Sequence, residues 1–556
     1  MLRYKLIPSL EKPFLDESLN DLAELKKISV LRNERLSLQL VVTDDGDPLR
    51  TSHRRFVGVK PEGVLAPYTV LRSLESVPSA MPAYPGRSDA GYLRTTPGLY
   101  PDLLSPLQMR GSVACVTGQV HSVWVEIDTH GEIPAGDYTF TLVINDGGSI
   151  SRASLSVEII SAGLPEQELR VTQWFHCDCL ATYYNVEIFS ERHWEIIENF
   201  VRTAVKNGIN MLLTPVFTPP LDTYIGGERP NVQLVGVTMT ADGGWEFDFS
   251  LLDRWIDMCD RCGVRYFEIS HLFTQWGAAH APKIVAKTPD GVRRIFGWDT
   301  DATGSEYTGF IRAFLGEFLA HMRSRGDDRR CWFHISDEPN AAHLEQYLKA
   351  KETVGDLLEG YPVMDALSDY EFYKTGAVTM PIPASNHIEP FIEGGVTPLW
   401  TYYCCGQGVG VSNRFLAMPG ARTRYIGVQF YKYNIFGFLQ WGYNFYNNQG
   451  SYDPVNPYVD STGNYFVPSG DAYSVYPASD GTALESMRLV QFREGIDDMR
   501  AMRLAESLVG RERVISAIEE LTGEIVFSRC VCDSKKMLAI RERVNRLIAD
   551  GIKAHG

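Results

Sequence analysis

The segment EYTGFIRAFLGEFLAHMRSRGDDRRCWFHISDEPN (306–340) places a helix pattern directly before a strand pattern. Residues 306–326 carry apolar side chains at helical spacing and end in glycine, and CWFHIS (331–336) is a short apolar run. A long amphipathic helix followed by a buried strand is typical of an α/β unit with parallel strands. The segment closes with DEPN (337–340), where proline should end the regular strand.

The same alternation continues on both sides of this segment. Helical patterns at 190–208, 250–263 and 341–360 lie between apolar strand-like runs, and shorter elements follow as far as FGFLQWGYN (436–444). About eight strands alternate with helices over some 280 residues, which is the pattern and size of a (β/α)8 TIM-type barrel. We therefore expect a central barrel.

The residues before this region have a different period. Apolar and polar residues alternate at 28–43, 115–129, 136–146 and 150–161, with turn signals between the runs. Short strands at this spacing predict an antiparallel β-sandwich. The chain is thus predicted to be multidomain, with a β-sandwich domain at 1–165, a catalytic (β/α)8 barrel at 169–480 and C-terminal helices packed on the barrel at 481–556.

Composition excludes several classes of partner. A net charge of -16, dispersed along the chain, argues against nucleic-acid binding, which calls for basic patches. No stretch approaches about 18 uncharged apolar residues, so no membrane span is predicted. The first 20 residues carry charges throughout and do not resemble a signal peptide, which predicts a cytoplasmic location. The ten scattered cysteines are expected to be reduced thiols, without a metal or another cofactor.

The adjacent carboxylates Asp337 and Glu338 are the main catalytic candidates. They lie at the end of the predicted fourth strand, and catalytic groups of such barrels come from the C-terminal ends of strands. Side chains alternate along a strand, so both can face the barrel mouth only if the strand ends or bulges there. The alternative is that one of them is only an N-cap or first-turn acid of helix 341–360. The apolar strand before them and Pro339 after them favour a catalytic role.

Aromatic, amide and imidazole side chains recur at the other strand ends. Aromatic faces stack on sugar rings, and amides and histidines hydrogen-bond hydroxyls, so such a mouth suits a neutral polyhydroxylated ligand. Any single aromatic residue is more often part of a core, and the indication lies in the recurrence. The predicted substrate-binding residues are His176, His271, Trp276, Asn386, Tyr402, Trp441 and Asn444.

Cleavage of a glycosidic bond needs a general acid and a group that traps the oxocarbenium-like centre. Many retaining barrel enzymes resemble one another in an Asn-Glu-Pro at the fourth strand and a nucleophilic Glu at the seventh. Here Asp337 replaces the amide, and the seventh strand, PLWTYYCCG (398–406), has no carboxylate. This combination fits substrate assistance, in which a 2-acetamido group of the sugar is the nucleophile. Asp337 would accept the acetamido N–H, and Glu338 would act as acid and base.

Several segments together resemble glycoside hydrolase family 123 and related domain-of-unknown-function glycosidases. The resemblance implies a β-N-acetylgalactosaminidase with a β-sandwich, a (β/α)8 barrel and an Asp-Glu pair. Asp337 then maps to the orienting residue, Glu338 to the acid/base, and Trp441 and Tyr402 to the sugar pocket, whereas CCGQGVGVSN (404–413) departs from the family pattern. The segments that carry the resemblance are NERLSLQLVV (33–42), YPDLLSPL (100–107), HISDEPN (334–340), WTYYCC (400–405), 424–446 with YDP (452–454), YP (476–477) and 486–502.

The hypothesis at this point is a retaining, exo-acting β-N-acetylgalactosaminidase that uses substrate-assisted catalysis. Its expected partner is a carbohydrate with a terminal β-linked N-acetylgalactosamine, and a homo-oligomer stays open. An N-acetylglucosamine-preferring β-N-acetylhexosaminidase and a non-catalytic glycan-binding barrel are the alternatives. A metal-dependent hydrolase built on His176, Asp178 and His271 is weaker, because the usual zinc helix motifs are missing from the sequence.

Overall fold

The computed structural model describes residues 2–45, 54–107 and 111–555, and its N-terminal part is built from two sheets. One sheet has the strand order β1-β3-β8-β5-β6 and the other β2-β10-β9-β4-β7, and in this described part only the β2–β10 pair is parallel. The strands are β1 (Leu2–Pro8), β2 (Lys27–Leu31), β3 (Arg35–Asp44), β4 (Arg54–Glu62), β5 (Thr69–Ser79), β6 (Gly98–Pro106), β7 (Ser112–Val116), β8 (Val120–Asp128), β9 (Gly136–Asn145) and β10 (Ile150–Ile160).

Alternating apolar residues from both sheets meet in one hydrophobic core. Leu38 and Leu40 of β3 belong to the same buried cluster as Phe140 and Leu142 of β9, which lies in the other sheet. This arrangement confirms the predicted N-terminal antiparallel sheets. It follows from the period of two, which sends every second side chain to the buried face.

Two of the predicted strands each divide into two strands in different sheets. The run 28–43 separates into β2 and β3 at a turn where Glu34 N–H donates to Leu31 O, and the run 115–129 separates into β7 and β8. Gly118, at φ 76°, provides the second turn. The alternation passes through both turns, so periodicity alone could not reveal where the chain changes sheet.

The central part contains two parallel sheets, an inserted four-stranded sheet and the antiparallel pair β23–β24. The larger parallel sheet has the order β18-β15-β12-β11-β22-β21, β19 pairs with β20, and the insertion has the order β14-β13-β16-β17. The strands are β11 (Arg170–Gln173), β12 (Met211–Thr214), β13 (Gly236–Met239), β14 (Trp245–Asp248), β15 (Tyr266–Ile269), β16 (Ile284–Thr288), β17 (Gly291–Phe296), β18 (Cys331–Trp332), β19 (Met364–Ala366), β20 (Met380–Ile382), β21 (Trp400–Tyr402), β22 (Gly437–Gln440), β23 (Val475–Pro477) and β24 (Ala483–Glu485).

The two parallel sheets are curled, and isolated bridges join their edges. Phe333, just beyond β18, bridges Val363 next to β19, and Ala384, just beyond β20, bridges Tyr402 of β21. Both bridges are parallel. The carboxyl ends of all these strands therefore lie on one side of the curled sheets.

Helices alternate with these strands and then follow them to the C-terminus. Ser190 caps α2 by accepting the N–H of His193 at 3.3 Å, as its sequence position predicts. The predicted helix 341–360 is shorter than expected, since a 3₁₀ turn at Ala341–His343 precedes it and it ends before Gly355. The helices are α1 (Cys177–Tyr184), α2 (Glu191–Lys206), α3 (Ser250–Cys262), α4 (Ser305–Arg325), α5 (Leu344–Val354), α6 (Tyr370–Lys374), α7 (Glu389–Glu393), α8 (Gly420–Arg424), α9 (Ile426–Lys432), α10 (Met487–Val509), α11 (Arg511–Thr522) and α12 (Ser534–His555).

None of the helices in residues 2–45, 54–107 and 111–555 is long and apolar enough to cross a lipid bilayer. The cytoplasmic location stays a prediction from the sequence.

A buried ion pair ties the N-terminal sheets to α10. Arg488 of α10 donates to Asp102 of β6 through Nε at 2.7 Å and Nη2 at 2.9 Å, and both side chains are fully buried. The hydroxyl of Tyr476 in β23 donates to the same carboxylate at 2.6 Å. A strand of the N-terminal sheets thus meets β23 and α10, more than 350 residues later in the chain, at one charge. A buried charge with these partners is tolerated, but without them it is costly.

We predict that Arg488→Met lowers the free energy of unfolding by about 3–5 kcal/mol, because Asp102 would be left buried without its counter-ion. Denaturant unfolding measures the change. The matched control is Arg312→Met, which removes an ion pair with Asp356 whose side chains are 41% and 60% exposed. It should cost less than about 1 kcal/mol. Equal losses in the two variants would contradict the role of Asp102.

Candidate active site

Asp337 and Glu338 lie beyond β18, because the predicted strand 331–336 keeps regular strand geometry only over Cys331–Trp332. Glu338 has φ 45°, in the left-handed region that few non-glycine residues adopt, and Pro339 follows it. Asp337 is half-buried and Glu338 is exposed. The left-handed residue interrupts the strict alternation of strand side chains, so the two neighbouring carboxylates need not point to opposite faces.

Hydrogen bonds hold the segment after β18 on both sides. On one side Asp365 of β19 accepts the backbone N–H groups of Ile335 at 3.1 Å and Ser336 at 3.3 Å through the same oxygen. On the other side Ser336 donates its hydroxyl to Thr274 O at 2.8 Å. Trp276 N–H donates to Asp337 O at 3.0 Å. These bonds hold the backbone on which both carboxylates are carried.

Asp337 and Glu338 do not cap the helix that follows them. The side chain of Asn340 accepts the N–H of Ala342 at 3.0 Å and caps the 3₁₀ turn, and Glu345 is the acid in the first turn of α5. The alternative interpretation of the pair as helix-capping acids is therefore wrong. Neither carboxylate is used in helix capping, so both are available for catalysis.

Tyr402 holds the Glu338 carboxylate. Its hydroxyl, on β21, donates to Glu338 Oε1 at 2.7 Å. Burial and the charge of Glu338 raise the pKa of Tyr402 well above its usual value, so the phenol stays protonated and remains a donor. The structure thus brings together two predicted site residues, one from the segment after β18 and one from the end of β21.

Burial raises the pKa of Asp337 well above its usual value, and the charges of Glu338 and Asp222 raise it further. The charge of His334 acts in the opposite direction. The Asp337 carboxyl therefore keeps its proton to a higher pH than an ordinary aspartate does.

A buried histidine lies beneath the strand end. His334 Nε2 is 2.8 Å from Glu268 Oε1, and its Nδ1 is 3.4 Å from Asp365 Oδ1. Burial lowers the pKa of His334, but the two carboxylates outweigh burial and raise it to about 9. The ring is therefore an imidazolium at neutral pH, and it provides a fixed positive charge near Asp337.

Sequence analysis missed two further carboxylates, Asp222, whose charge acts on Asp337, and Asp471, whose charge acts on Asp222. Burial raises the pKa of Asp222 to about 7 and that of Asp471 to about 6, and the charges of Glu338 and Asp471 contribute to the shift of Asp222. Asp222 Oδ2 has no hydrogen-bond partner within the described residues, and its backbone φ is 51°. Asp222 lies several residues beyond β12, and Asp471 lies far beyond β22, so neither stands at a strand end, where the sequence pattern points to a site.

His176 and Asn444 use their polar atoms within the protein. Arg229 Nη2 lies 3.1 Å from His176 Nδ1, and His176 Nε2 lies 3.1 Å from Trp441 O. Burial and the charge of Arg229 lower the pKa of His176 to about 3, so the ring is neutral, accepts at Nδ1 and donates at Nε2. Asn444 bonds to the backbone N and O of His176 at 2.9 and 3.0 Å. These contacts hold the segment that carries Trp441.

Trp441, directly after β22, is held by Asp471. Its indole Nε1 donates to Asp471 Oδ2 at 2.8 Å, and its ring contacts Phe466 edge-on with 5.8 Å between centroids. The indole orientation is therefore fixed before any ligand arrives.

The remaining predicted residues differ in exposure. His271 is buried and stacks on His334 with ring centroids 4.2 Å apart, so it supports the charged ring from beneath. Trp276 is 50% exposed, with φ 59°. Asn386 is exposed and accepts from Gln407 Nε2 at 2.9 Å. Trp276 and Asn386 are thus accessible to a ligand, and His271 is not.

Within the part of the chain that the structure describes, no three His, Cys, Asp or Glu residues are grouped so as to hold a metal ion. Asp178, one member of the metal-site hypothesis, instead forms a buried ion pair with Arg229 at 2.7 Å. His176 is engaged by the same arginine.

Comparisons with known proteins identify the family. A model described as "Glycoside hydrolase 123, catalytic domain" matches residues 174–505, which is more than half of the chain. The chain belongs to glycoside hydrolase family 123. The resemblance in the sequence is confirmed, and the protein is a glycoside hydrolase with a glycan as its class of substrate.

A solved family 123 glycoside hydrolase from Clostridium perfringens has the same fold. The two share 15% sequence identity with a TM-score of 0.73, over 100% of this chain and 98% of that chain. Bacteroides uniformis beta-glucuronidase 3 is 9% identical with a TM-score of 0.28, over 90% of this chain and 52% of its own. An endo-beta-1,4-mannanase from Thermotoga petrophila is 12% identical with a TM-score of 0.32, over 61% and 77%. The last two are too distant to carry an argument. No curated protein sequence matches significantly.

We predict that Asp222→Asn changes how stability depends on pH. The pKa of Asp222 is about 7 in the folded protein and close to 3.8 in the unfolded chain, so unfolding releases a proton between these values. This contribution is fully present below about pH 4 and is lost as the pH rises through about 7. The asparagine variant has no titrating group at this position, so its stability should not show this loss. Its unfolding free energy minus that of the parent should therefore increase from pH 4.5 to 7.5 in urea titrations, and parallel curves would contradict the assignment.

Proposed function

We propose that this family 123 enzyme is a retaining, exo-acting β-N-acetylgalactosaminidase in which the substrate's own 2-acetamido group is the nucleophile. The observation that carries the proposal is the Asp337–Glu338 pair at one strand end, with Tyr402 holding Glu338 at 2.7 Å. β21 and the residues on either side of it contain no carboxylate that could trap the anomeric carbon.

The two extra carboxylates are poor replacements for such a nucleophile. Asp222 has a pKa near 7, so it is substantially protonated at neutral pH and only weakly nucleophilic. Asp471 has both oxygens engaged, one by Trp441 Nε1 at 2.8 Å and the other by Gln440 Nε2 at 3.3 Å. An acetamido oxygen from the substrate avoids both difficulties.

In the reacting state that we propose, the acetamido N–H donates to Asp337 and favours its ionised form, and Glu338 carries the proton. The acetamido oxygen attacks C1, and Glu338 gives its proton to the departing oxygen, which leaves an oxazolinium ion beside the Asp337 carboxylate. Glu338 then takes a proton from the water that opens the ring at C1. The two displacements together retain the anomeric configuration.

The proposal extends to the architecture that presents the pair. The pairings run in a circle from β11 through β12, β15 and β18 to β19, and from β20 through β21 and β22 back to β11. This order supports a single (β/α)8 barrel. We assign it to residues 169–480, with the β-sandwich at 1–165 and the C-terminal helices at 481–556.

The choice of N-acetylgalactosamine rests on what the family 123 resemblance of the sequence implies. The Clostridium perfringens family 123 enzyme is described as acting in glycolipid glycan hydrolysis, which supports a glycan of that kind here. An N-acetylglucosamine-preferring hexosaminidase uses the same chemistry and differs in the contact to O4. A non-catalytic glycan-binding barrel is the remaining alternative, and the retained Asp-Glu pair argues against it.

Aryl β-glycosides test the mechanism. We expect hydrolysis of the N-acetylgalactosaminide, slower hydrolysis of the N-acetylglucosaminide, and at least about 100-fold slower hydrolysis of the galactoside, because the galactoside has no acetamido nucleophile. Proton NMR of the first product should show the β-anomer. Efficient turnover of the galactoside, or an α-anomer as first product, contradicts substrate assistance.

Variants of the pair test the division of roles. Glu338→Gln should lower kcat/KM about 100- to 10,000-fold for a disaccharide and less for an aryl glycoside, whose good leaving group needs little protonation. Asp337→Asn should lower kcat/KM similarly for the disaccharide and the aryl glycoside, because Asp337 acts when the oxazolinium ion forms. Glu345→Gln, an acid in α5 whose side chain is 85% exposed, is the control and should leave both unchanged. Full activity in either site variant would contradict its role.

A further inference from the structure

Two tyrosine rings stack on each other at the rim of the mouth, outside the site described so far. Tyr224 lies in the loop after β12 and Tyr452 in the loop after β22, and their ring centroids are 4.0 Å apart with 8° between the planes. Tyr452 is 63% exposed and Tyr224 37%. Large aromatic residues are usually buried, so an exposed stacked pair needs a reason.

The backbone is adapted to this stack. A Cβ added at Gly227 would lie 2.5–2.7 Å from three ring atoms of Tyr224, so only glycine allows the chain to pass this close to the ring. Gly450 has φ 67°, and a Cβ there would lie 3.2 Å from atoms of both tyrosines. Tyr224 N–H donates to Gly450 O at 3.0 Å. Tyr224 is thus packed between Gly227 and Tyr452, and the outer face of Tyr452 is left open.

The stack is connected to the candidate catalytic carboxylates. Ser451 Oγ, next to Tyr452, donates to Asp222 O at 2.8 Å. Asp222 is two residues before Tyr224, and the charge of Glu338 contributes to its raised pKa. The open ring face therefore stands on the loops that surround the catalytic pair.

We propose that the outer face of Tyr452, backed by Tyr224, binds a sugar ring in the leaving-group part of the glycan. This inference rests on the proposed exo-acting function, in which only the terminal sugar enters the site and the rest of the chain extends across the rim. The C–H face of a sugar ring packs on an aromatic face, and a ring already held by its neighbour loses little conformational freedom on binding. The platform contributes affinity for the second or third sugar and does not touch the reacting atoms.

Paired measurements separate the platform from the catalytic site. The substrate is an oligosaccharide of at least three sugars with a terminal β-linked N-acetylgalactosamine, and the site probe is the monosaccharide thiazoline, which imitates the oxazolinium ion. Tyr452→Ala should lower kcat/KM for the oligosaccharide about tenfold, mainly through KM, and leave the Ki of the thiazoline unchanged. Tyr452→Phe should retain most of the parent activity, because the ring remains.

Phe56→Ala is the control, since Phe56 is 43% exposed on β4 in the N-terminal sheets. Unchanged oligosaccharide kinetics in Tyr452→Ala overturns the platform. An equal change in the thiazoline Ki also overturns it, because the substitution would then have disturbed the whole site. Loss of self-association in sedimentation, with unchanged kinetics, would assign the face to a second copy of the chain instead.

The two proposals fail in different ways. If the parent hydrolyses the oligosaccharide but is not inhibited by the thiazoline, acetamido participation is contradicted. The ratio of kcat/KM between Tyr452→Ala and the parent then still tests the platform. If the parent hydrolyses nothing, calorimetric titration of the oligosaccharide into parent and Tyr452→Ala judges the platform alone. About tenfold weaker binding in the variant supports it, and equal binding overturns it.

Discussion

The candidate site depends on one buried carboxylate. Asp365 accepts two backbone N–H groups from the segment that follows β18, and its Oδ1 lies 3.4 Å from Nδ1 of the His334 imidazolium. Tyr347 donates its hydroxyl to the other oxygen. Without these bonds the N–H groups of Ile335 and Ser336 would be buried and unpaired. The position of Asp337 and Glu338 therefore follows from a side chain on the next strand.

The pKa of Asp337 depends on opposing charges, since neighbouring carboxylates raise it and the buried His334 imidazolium lowers it. Burial raises the pKa of Asp337, Asp222 and Asp471, and repulsion from neighbouring carboxylates adds to the shifts of Asp337 and Asp222. The charge of His334 opposes the shift of Asp337. The charge of His334 is itself maintained by Glu268 and Asp365, which outweigh its burial. The neutral ring of His271 stacks against it from the other side. Such a site holds protons that can move at neutral pH, which is what acid–base chemistry requires.

The sequence allowed the site residues that form a contiguous motif to be predicted. It did not reveal the residues whose role depends on contacts with distant parts of the chain. The apolar strand, the two carboxylates and the proline are contiguous, so the position of Asp337 and Glu338 could be inferred. Glu268 and His334 were passed over because each lies within an apolar strand pattern. Asp222 was missed because it lies in a long loop with no periodic signal. The assignment of His176 and Asn444 to sugar binding could not foresee that Arg229 and the backbone engage their polar atoms.

The sequence by itself determined the alternation of helices and strands, the N-terminal antiparallel sheets, the family and the catalytic candidates, because these follow from local periodicity and contiguous motifs. Tertiary structure alone decided which strands exchange sheets at Gly118 and at residues 32–34, how Tyr402 reaches Glu338, and why Tyr224 and Tyr452 form one surface. Each of these results depends on groups far apart in the chain. Their contacts and pKa shifts come from burial and distance, which no local pattern encodes.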